Sequence, residues 1–209
     1  MRLFIVPLGF HEDIVLRALI RLGAQPGDVV YTVTCGPAAE AVKRAFESLQ
    51  AQCLRQGLPE PKLLELNCRD FYGSIRAVRS TLSEYGEAEV FFCSGGGLRI
   101  LTHIVEVALF VTRRPFNLHY EPEGEGASVV DVPNTLFRVM YEGVRGIREK
   151  VLRKVIENPG IAVKEISQML GVEEKTVQNA LTWLKERGLV VRKPKGRARP
   201  TEIAVALYG

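Results

Sequence analysis

Ser94-Gly95-Gly96-Gly97-Leu98-Arg99 combines the groups that an anion site needs. Consecutive glycines let backbone N–H groups close on a negative group, Ser94 adds a hydroxyl, and Arg99 adds a fixed positive charge. The segment lies between an apolar run, Val90-Phe91-Phe92-Cys93, and a helix-length stretch, so a bound anion would also meet a helix N-terminus. Gly9-Phe10-His11 and Cys35-Gly36-Pro37 follow two other apolar runs in the same manner. The expected ligand-binding set is therefore Gly9, Phe10, Cys35, Gly36, Ser94, Gly95, Gly96, Gly97, Leu98 and Arg99. The first apolar run is followed by a single glycine, without G-x-G-x-x-G, and no G-x-x-x-x-G-K-[ST] occurs. Both absences argue against a dinucleotide dehydrogenase and a P-loop NTPase.

A second chemistry is written near the other end of the chain. Val163, Ile166, Met169 and Leu170 have the one-sided spacing of a short helix over 162–170, stopped by Gly171. The next helix, expected over 173–186, buries Val177, Leu181 and Leu184, with Ala180 and Trp183 beside them. Its other face carries Lys175, Thr176, Gln178, Asn179 and Thr182, side chains suited to base edges and phosphates in a major groove. Beyond Gly188 a strand starts at Leu189-Val190-Val191, and Arg192, Lys193, Lys195, Arg197 and Arg199 then give five cations around a turn. Ile203 to Leu207 is apolar enough to return as the second strand of a hairpin. The pattern is a winged helix-turn-helix, with double-stranded DNA as the expected partner and the wing on the phosphate backbone.

The elements that must position the first set alternate in a βαβα rhythm. Strands are expected over 3–8, 28–34, 62–66, 88–93, 116–120 and 127–131, and helices over 13–22, 37–56, 71–85 and 97–112, with Pro37 in a first helical turn. Strands as continuously apolar as Leu3-Phe4-Ile5-Val6 imply a parallel sheet covered on both faces. Only the acidic turn Glu121-Pro122-Glu123-Gly124-Glu125-Gly126 separates the last two, which predicts an antiparallel hairpin at one edge. The fold class is α/β: a Rossmann-like, mostly parallel sheet over 1–132, a connection over 133–144 containing Pro133 and Gly143, and a winged helix-turn-helix over 145–209 that opens with a helix over 145–158. In such sheets ligands sit beyond the carboxyl ends of the strands, where the strand order switches direction.

Charge follows the same division. From Arg145 onward fourteen Lys and Arg face seven Asp and Glu, net +7; the rest has fourteen against seventeen, −3, for a total of +4. With 46% hydrophobic and 25% charged residues the 209-residue chain has the composition of an ordinary globular protein, which excludes a disordered one. The N-terminus lacks a signal-peptide core and no apolar stretch reaches a membrane span, so a cytoplasmic location is expected. Cys35, Cys53, Cys68 and Cys93 form no C-x-x-C pair and are expected as structural thiols, without a metal site.

A Rossmann-like domain that opens with Val6-Pro7-Leu8-Gly9-Phe10, carries Ser94-Gly95-Gly96-Gly97-Leu98-Arg99 after its fourth strand and ends in a winged helix resembles the CRISPR-associated Rossmann-fold (CARF) transcription regulators of archaeal CRISPR loci. The resemblance spans nearly the whole chain. It implies a homodimer with a cyclic oligoadenylate, typically the tetra-adenylate, lying across the two-fold axis between paired loops. Carried over by position, Gly9 and Phe10 match the first-strand loop, and Ser94, Gly95, Gly96, Gly97 and Arg99 match the fourth-strand motif. The family motif often has a hydroxyl or a Met where this chain has Gly97, which leaves ligand size and phosphodiester chemistry open. No cofactor and no catalytic residue are expected. Three other functions would use the same architecture: a ring nuclease with Arg99, Ser94 and His11 as helpers, a metabolite-sensing regulator outside CRISPR biology, or a winged helix that mediates protein contacts only. Against the nuclease, no His/Glu pair or metal-ligand cluster marks a general base.

Overall fold

A computed structural model describes residues 1–122 and 128–209, with Lys195 described by its backbone only. The chain divides into two compact units, Met1–Asn134 and Thr135–Gly209. Among the described residues no helix is long and apolar enough to cross a membrane.

The first unit alternates β1 (Arg2–Pro7), α1 (Asp13–Arg21), β2 (Val29–Cys35), α2 (Glu40–Gln56), β3 (Pro61–Leu66), α3 (Phe71–Glu84), β4 (Glu89–Ser94), α4 (Arg99–Thr112), β5 (Phe116–Tyr120) and β6 (Val130–Val132). The sheet order is β3-β2-β1-β4-β5-β6, with every pairing parallel except that of the edge strand β6 to β5. This is a Rossmann-like sheet whose order reverses between β1 and β4. Alternation along the strands sends Phe4, Val6 and Leu8 to the core they share with Val15, Leu19 and Leu49 of α1 and α2. Leu3 and Ile5 therefore face the other way, as does Phe92, whose ring meets Phe116 edge-on at 6.4 Å. Leu101, Ile104, Val105 and Ala108 of α4 are likewise fully buried. The expected last strand begins later, at Val130; Glu123, Gly124, Glu125, Gly126 and Ala127 lie outside the described residues.

Three expectations about the first unit need correction. Pro37 stands ahead of α2, after a cis peptide from Gly36, and not in its first turn. The reason is pairing to β3: the Gly36 N–H donates to Leu66 O at 2.7 Å and the Ala38 N–H to Glu65 Oε2 at 3.1 Å, which holds 36–38 out of the helix. Cys35 and Cys68 form a disulfide with Cα atoms 5.4 Å apart, whereas Cys53 and Cys93 are buried free thiols. Nothing local in the sequence signals a partner 33 residues away; the parallel register that sets Cys35 beside Leu66 brings Cys68 within reach. α4 begins at Arg99 because Gly97, at φ 73°, is in the left-handed region and cannot belong to it.

The second unit contains α5 (Asn134–Glu142, beginning at the division), α6 (Ile147–Glu157), β7 (Ile161–Ala162), α7 (Val163–Leu170), α8 (Glu174–Glu186), β8 (Val190–Lys193), a 3-10 turn (Pro194–Gly196), β9 (Arg197–Pro200) and α9 (Glu202–Tyr208). Val151, Leu152, Ile166, Val177, Leu181 and Leu184 close its core. The segment expected as a connection is a helix, with Phe137 and Val139 buried and Gly143 closing it through an N–H to Val139 O at 2.8 Å. Pro133 and Gly143 mark its two ends and not a linker. The wing also differs: β9 is made by the basic run itself, paired antiparallel to β8, and Ile203–Leu207 is helical. Thr201 caps that helix, its Oγ1 accepting the Ala204 N–H at 3.3 Å, and Glu202 stands in the first turn.

Candidate functional site

β1 and β4 are neighbours that feed helices on opposite faces, so a crevice opens beyond their carboxyl ends. The two loops there meet backbone to backbone. A Cβ added to Gly9 would lie 3.1 Å from Gly97 Cα and N, and one on Gly97 would lie 3.1 Å from Pro7 Cβ and 3.3 Å from Leu8. Gly97 is therefore short of room as well as left-handed, and the hydroxyl or Met common at this position in CARF regulators would be strained here. Gly95 has φ 139°, and any Cβ on it would overlap the carbonyl oxygen of Glu121.

Around this contact the surface forms two clefts. One, of about 390 Å³, is lined by Ser94, Gly95, Gly96, Gly97, Arg99, Thr102, His103 and Tyr120. It presents hydroxyls and a guanidinium beside the start of α4, a 14-residue helix whose N-terminus carries partial positive charge and has no acidic residue in its first turn. The other, of about 380 Å³, is more apolar, with Gly9, Phe10, His11, Cys35, Pro37, Gly97 and Leu98 among its walls. Phe10 and Leu98 are exposed at 65% and 57%, which puts two large apolar side chains in the open wall of this more apolar cleft.

Nine of the ten expected ligand residues thus line one cleft or the other, and Gly97 lines both. Gly36 lines neither; its backbone faces Glu65 and Leu66 of β3. Thr102, His103 and Tyr120 were not singled out from sequence. Helical spacing could have found two of them, since Thr102 and His103 stand three and four residues past Arg99, on its face of α4. Tyr120 needed the sheet register, which pairs it with Ser94. The sequence also yielded no His/Glu pair, yet His103 Nδ1 lies 3.4 Å from Glu106 Oε2 at i, i+3.

Behind the polar cleft lies a buried charge cluster. Glu121, 3% exposed, accepts from Arg17 Nε at 3.1 Å and Arg21 Nε at 3.2 Å and pairs with His119 Nε2 at 3.1 Å. His119 is 1% exposed, and its Nδ1 is 2.6 Å from Asp131 Oδ1. Burial pushes the Glu121 carboxyl up, but hydrogen bonds from His119, Arg21 and Arg17, with the Arg21 charge, outweigh it and hold the group below the usual range.

In the second unit α7 and α8 are joined through Gly171 at φ 63°. Lys175, Gln178, Asn179 and Thr182 of α8 are exposed and Thr176 is half-buried. On the wing, Lys193 pairs with Arg197 and Val191 with Arg199, so Lys193, Arg197 and Arg199 share the exposed face. Arg192 pairs with the fully buried Ala198 and belongs to the inner face, apart from the other cations. Lys195 lies in the turn, and its side chain is outside the described part. Trp183 is half-buried against the core with the Arg148 and Arg187 guanidiniums 4.3 and 3.8 Å from its ring centroid. Arg187 is also fixed by Glu142 of α5 at 2.6 Å.

Comparison with known proteins agrees with the two-unit fold. Residues 2–133 match the family described as the Csa3 CRISPR-associated Rossmann-like domain, and residues 145–191 match a winged helix-turn-helix DNA-binding family. The chain is 27% identical, over 94% of its own length and 83% of the relative's, to the CRISPR locus-related protein Csa3 of Saccharolobus solfataricus. Among solved structures it is similar to Can2 of Sulfobacillus thermosulfidooxidans in complex with cyclic tetra-adenylate, at 12% identity and a TM-score of 0.45 over 100% of this chain and 64% of that one. It is also similar to the transcriptional regulator SlyA, at 25% identity and a TM-score of 0.31 over 34% of this chain and 54% of that one. It spans less than two thirds of either structure's length. The match over 2–133, more than half of the chain, places it in the Csa3 family of CRISPR-associated Rossmann-like proteins, with a winged helix-turn-helix DNA-binding domain as its second unit.

Proposed function

We propose that this protein is a ligand-responsive transcription regulator of CRISPR loci, which senses a cyclic oligoadenylate with its first unit and binds promoter DNA with its second. The observation that carries the reading is the polar cleft at the switch point, where Ser94, three glycines and Arg99 surround the start of α4. Phosphodiesters are the anions this equipment suits: backbone N–H groups and a helix terminus take the oxygens, and Arg99 supplies a charge. The more apolar cleft beside it, sharing Gly97, offers a wall for a base. The cyclic tetra-adenylate follows from the resemblance to CARF regulators. Its repeated phosphates suit a homodimer, in which each protomer contributes one glycine loop and one Arg99 to equivalent groups. Ligand binding alters transcription only if its affinity differs between the geometries with and without DNA.

Calorimetry with cyclic tetra-adenylate, other cyclic oligoadenylates and linear nucleotides tests the ligand. Arg99→Ala is expected to weaken binding about tenfold or more, the scale of a hydrogen bond to a charged group, and to leave ligand-free DNA affinity unchanged. Equal loss of both would make Arg99 structural. A panel on which only a nucleotide sugar or similar phosphate binds would favour a metabolite sensor instead.

His103, on the wall of the polar cleft and 3.4 Å from Glu106, favours one second reading, cleavage of the ligand. There the ligand's 2′-hydroxyl attacks the adjacent phosphorus to form a 2′,3′-cyclic phosphate, His103 takes up the hydroxyl proton, and the bond to the 5′-oxygen breaks as that oxygen takes a proton from water. Incubation with cyclic tetra-adenylate would give linear product from the native protein and none from His103→Ala; intact ligand from both leaves the regulator alone.

A further inference from the structure

We propose that Glu121 and His119 are positioning residues for the Ser94–Gly97 loop, held there by Arg17 and Arg21 of α1. The inference rests on the ligand reading for its consequence and on geometry alone for the brace itself. Glu121 follows the last residue of β5, and its backbone touches the loop twice. Its N–H donates to Ser94 O at 2.8 Å, carrying the β4–β5 pairing one step past the strands. Its carbonyl oxygen lies so close to Gly95 that no Cβ fits, so any shift of Glu121 toward the loop displaces Gly95 and any shift away opens the space behind it.

What fixes Glu121 is its side chain. Arg17 Nε binds Oε1, while Arg21 Nε and His119 Nε2 meet Oε2. Arg17 adds a bond from Nη2 to Pro122 O at 3.1 Å and another from Nη1 to Asp13 Oδ2 at 2.8 Å. His119 is clamped from its other nitrogen by Asp131 on the edge strand β6. A lone exposed ion pair holds little in place, but a buried carboxylate shared among three partners is a rigid point of attachment. Two of the three partners, Arg17 and Arg21, come from α1, which starts two residues after Gly9-Phe10-His11, so one cluster references the fourth-strand loop to the element that follows the first-strand loop. Those two loops already touch at Gly9 and Gly97. A site whose donors must stand within a fraction of an ångström of a phosphate needs such support from behind.

Amide hydrogen exchange, read residue by residue in the full-length protein, tests the brace without any ligand. In Glu121→Gln, exchange of the residue-121 amide, which donates to Ser94 O, is expected to accelerate about tenfold or more while the Val30 and Phe92 amides keep their protection. Arg21→Gln, an outer and half-exposed member, is expected to give a smaller acceleration at the same amide, and Arg21→Lys to restore most of the native pattern. Affinity for cyclic tetra-adenylate should fall in the same rank order, by about tenfold for Glu121→Gln. Unchanged exchange at that amide, or acceleration spread evenly through the unit, overturns the proposal. Where Glu121→Gln fails to fold, the Arg21 pair decides by itself. Failure of the native protein to bind any cyclic oligoadenylate would sink the ligand reading and leave the exchange result to judge the brace.

Discussion

At Glu121, burial and charge pull in opposite directions, and the charge prevails. Its carboxyl is held below an ordinary value of 4.5, and Asp28, hydrogen-bonded by Arg2 at 2.6 Å, is likewise held below 3.8. A carboxylate whose folded value is depressed contributes stability that is fully present above the unfolded value and disappears as acid protonates the folded form. Glu142, hydrogen-bonded by Arg138 and Arg187, is a third carboxylate held down, so the melting temperature should be level from neutral pH down to about pH 5 and fall below it, with Glu121→Gln starting lower and declining less, because one of the three linked protons is gone. A variant with the native slope would show that Glu121 titrates normally in the folded state. The expected ligand residues were legible because glycine, hydroxyl and guanidinium stand together in six consecutive positions; Glu121, Arg17 and His119 were not, because 104 residues separate Glu121 from Arg17 and only the sheet brings them together. The Cys35–Cys68 bridge was hidden for the same reason.

Among the elements, the alternation of apolar runs and helical stretches was enough to reveal the Rossmann-like order, since buried parallel strands write their pattern locally. The wing was misread at its second strand. The basic run looked like a loop by charge, yet Lys193 and Arg197 pair across a three-residue turn closed by Gly196 at φ 70°, a standard short hairpin. The cue against an Ile203–Leu207 strand was present in Thr201-Glu202, a helix cap followed by an acidic first turn. On the proposed DNA reading, α8 and the exposed wing face do different work. Gln178→Ala or Asn179→Ala should shift sequence preference, costing about 1–3 kcal/mol on the preferred site and little on others. Arg197→Ala should weaken every sequence alike. Selection from a random duplex pool reads the first, and titration on unrelated duplexes reads the second; a uniform effect from both sets would place the interface elsewhere.

For the whole molecule, the proposed two-fold assembly makes each exposed wing cation count twice. Each neutralised phosphate contributes about 0.9 to the slope of log affinity against log salt, by release of condensed counterions. If one protomer binds alone, Arg197→Ala removes one contact and flattens the slope by about 0.9. If two recognition helices read half-sites one helical turn apart, the same substitution removes a contact from each wing and flattens it by about 1.8. Arg192→Ala supplies the internal comparison: its partner across the hairpin is the buried Ala198, so it should leave the slope near native while Arg197→Ala and Arg199→Ala each move it. Titrating a palindromic duplex and a single half-site across the same salt range separates the cases. A change near 0.9 on both duplexes would reject the paired assembly on DNA, and a change near 1.8 confined to the palindrome is what two copies of this positively charged second unit, net +7 from Arg145 onward, require.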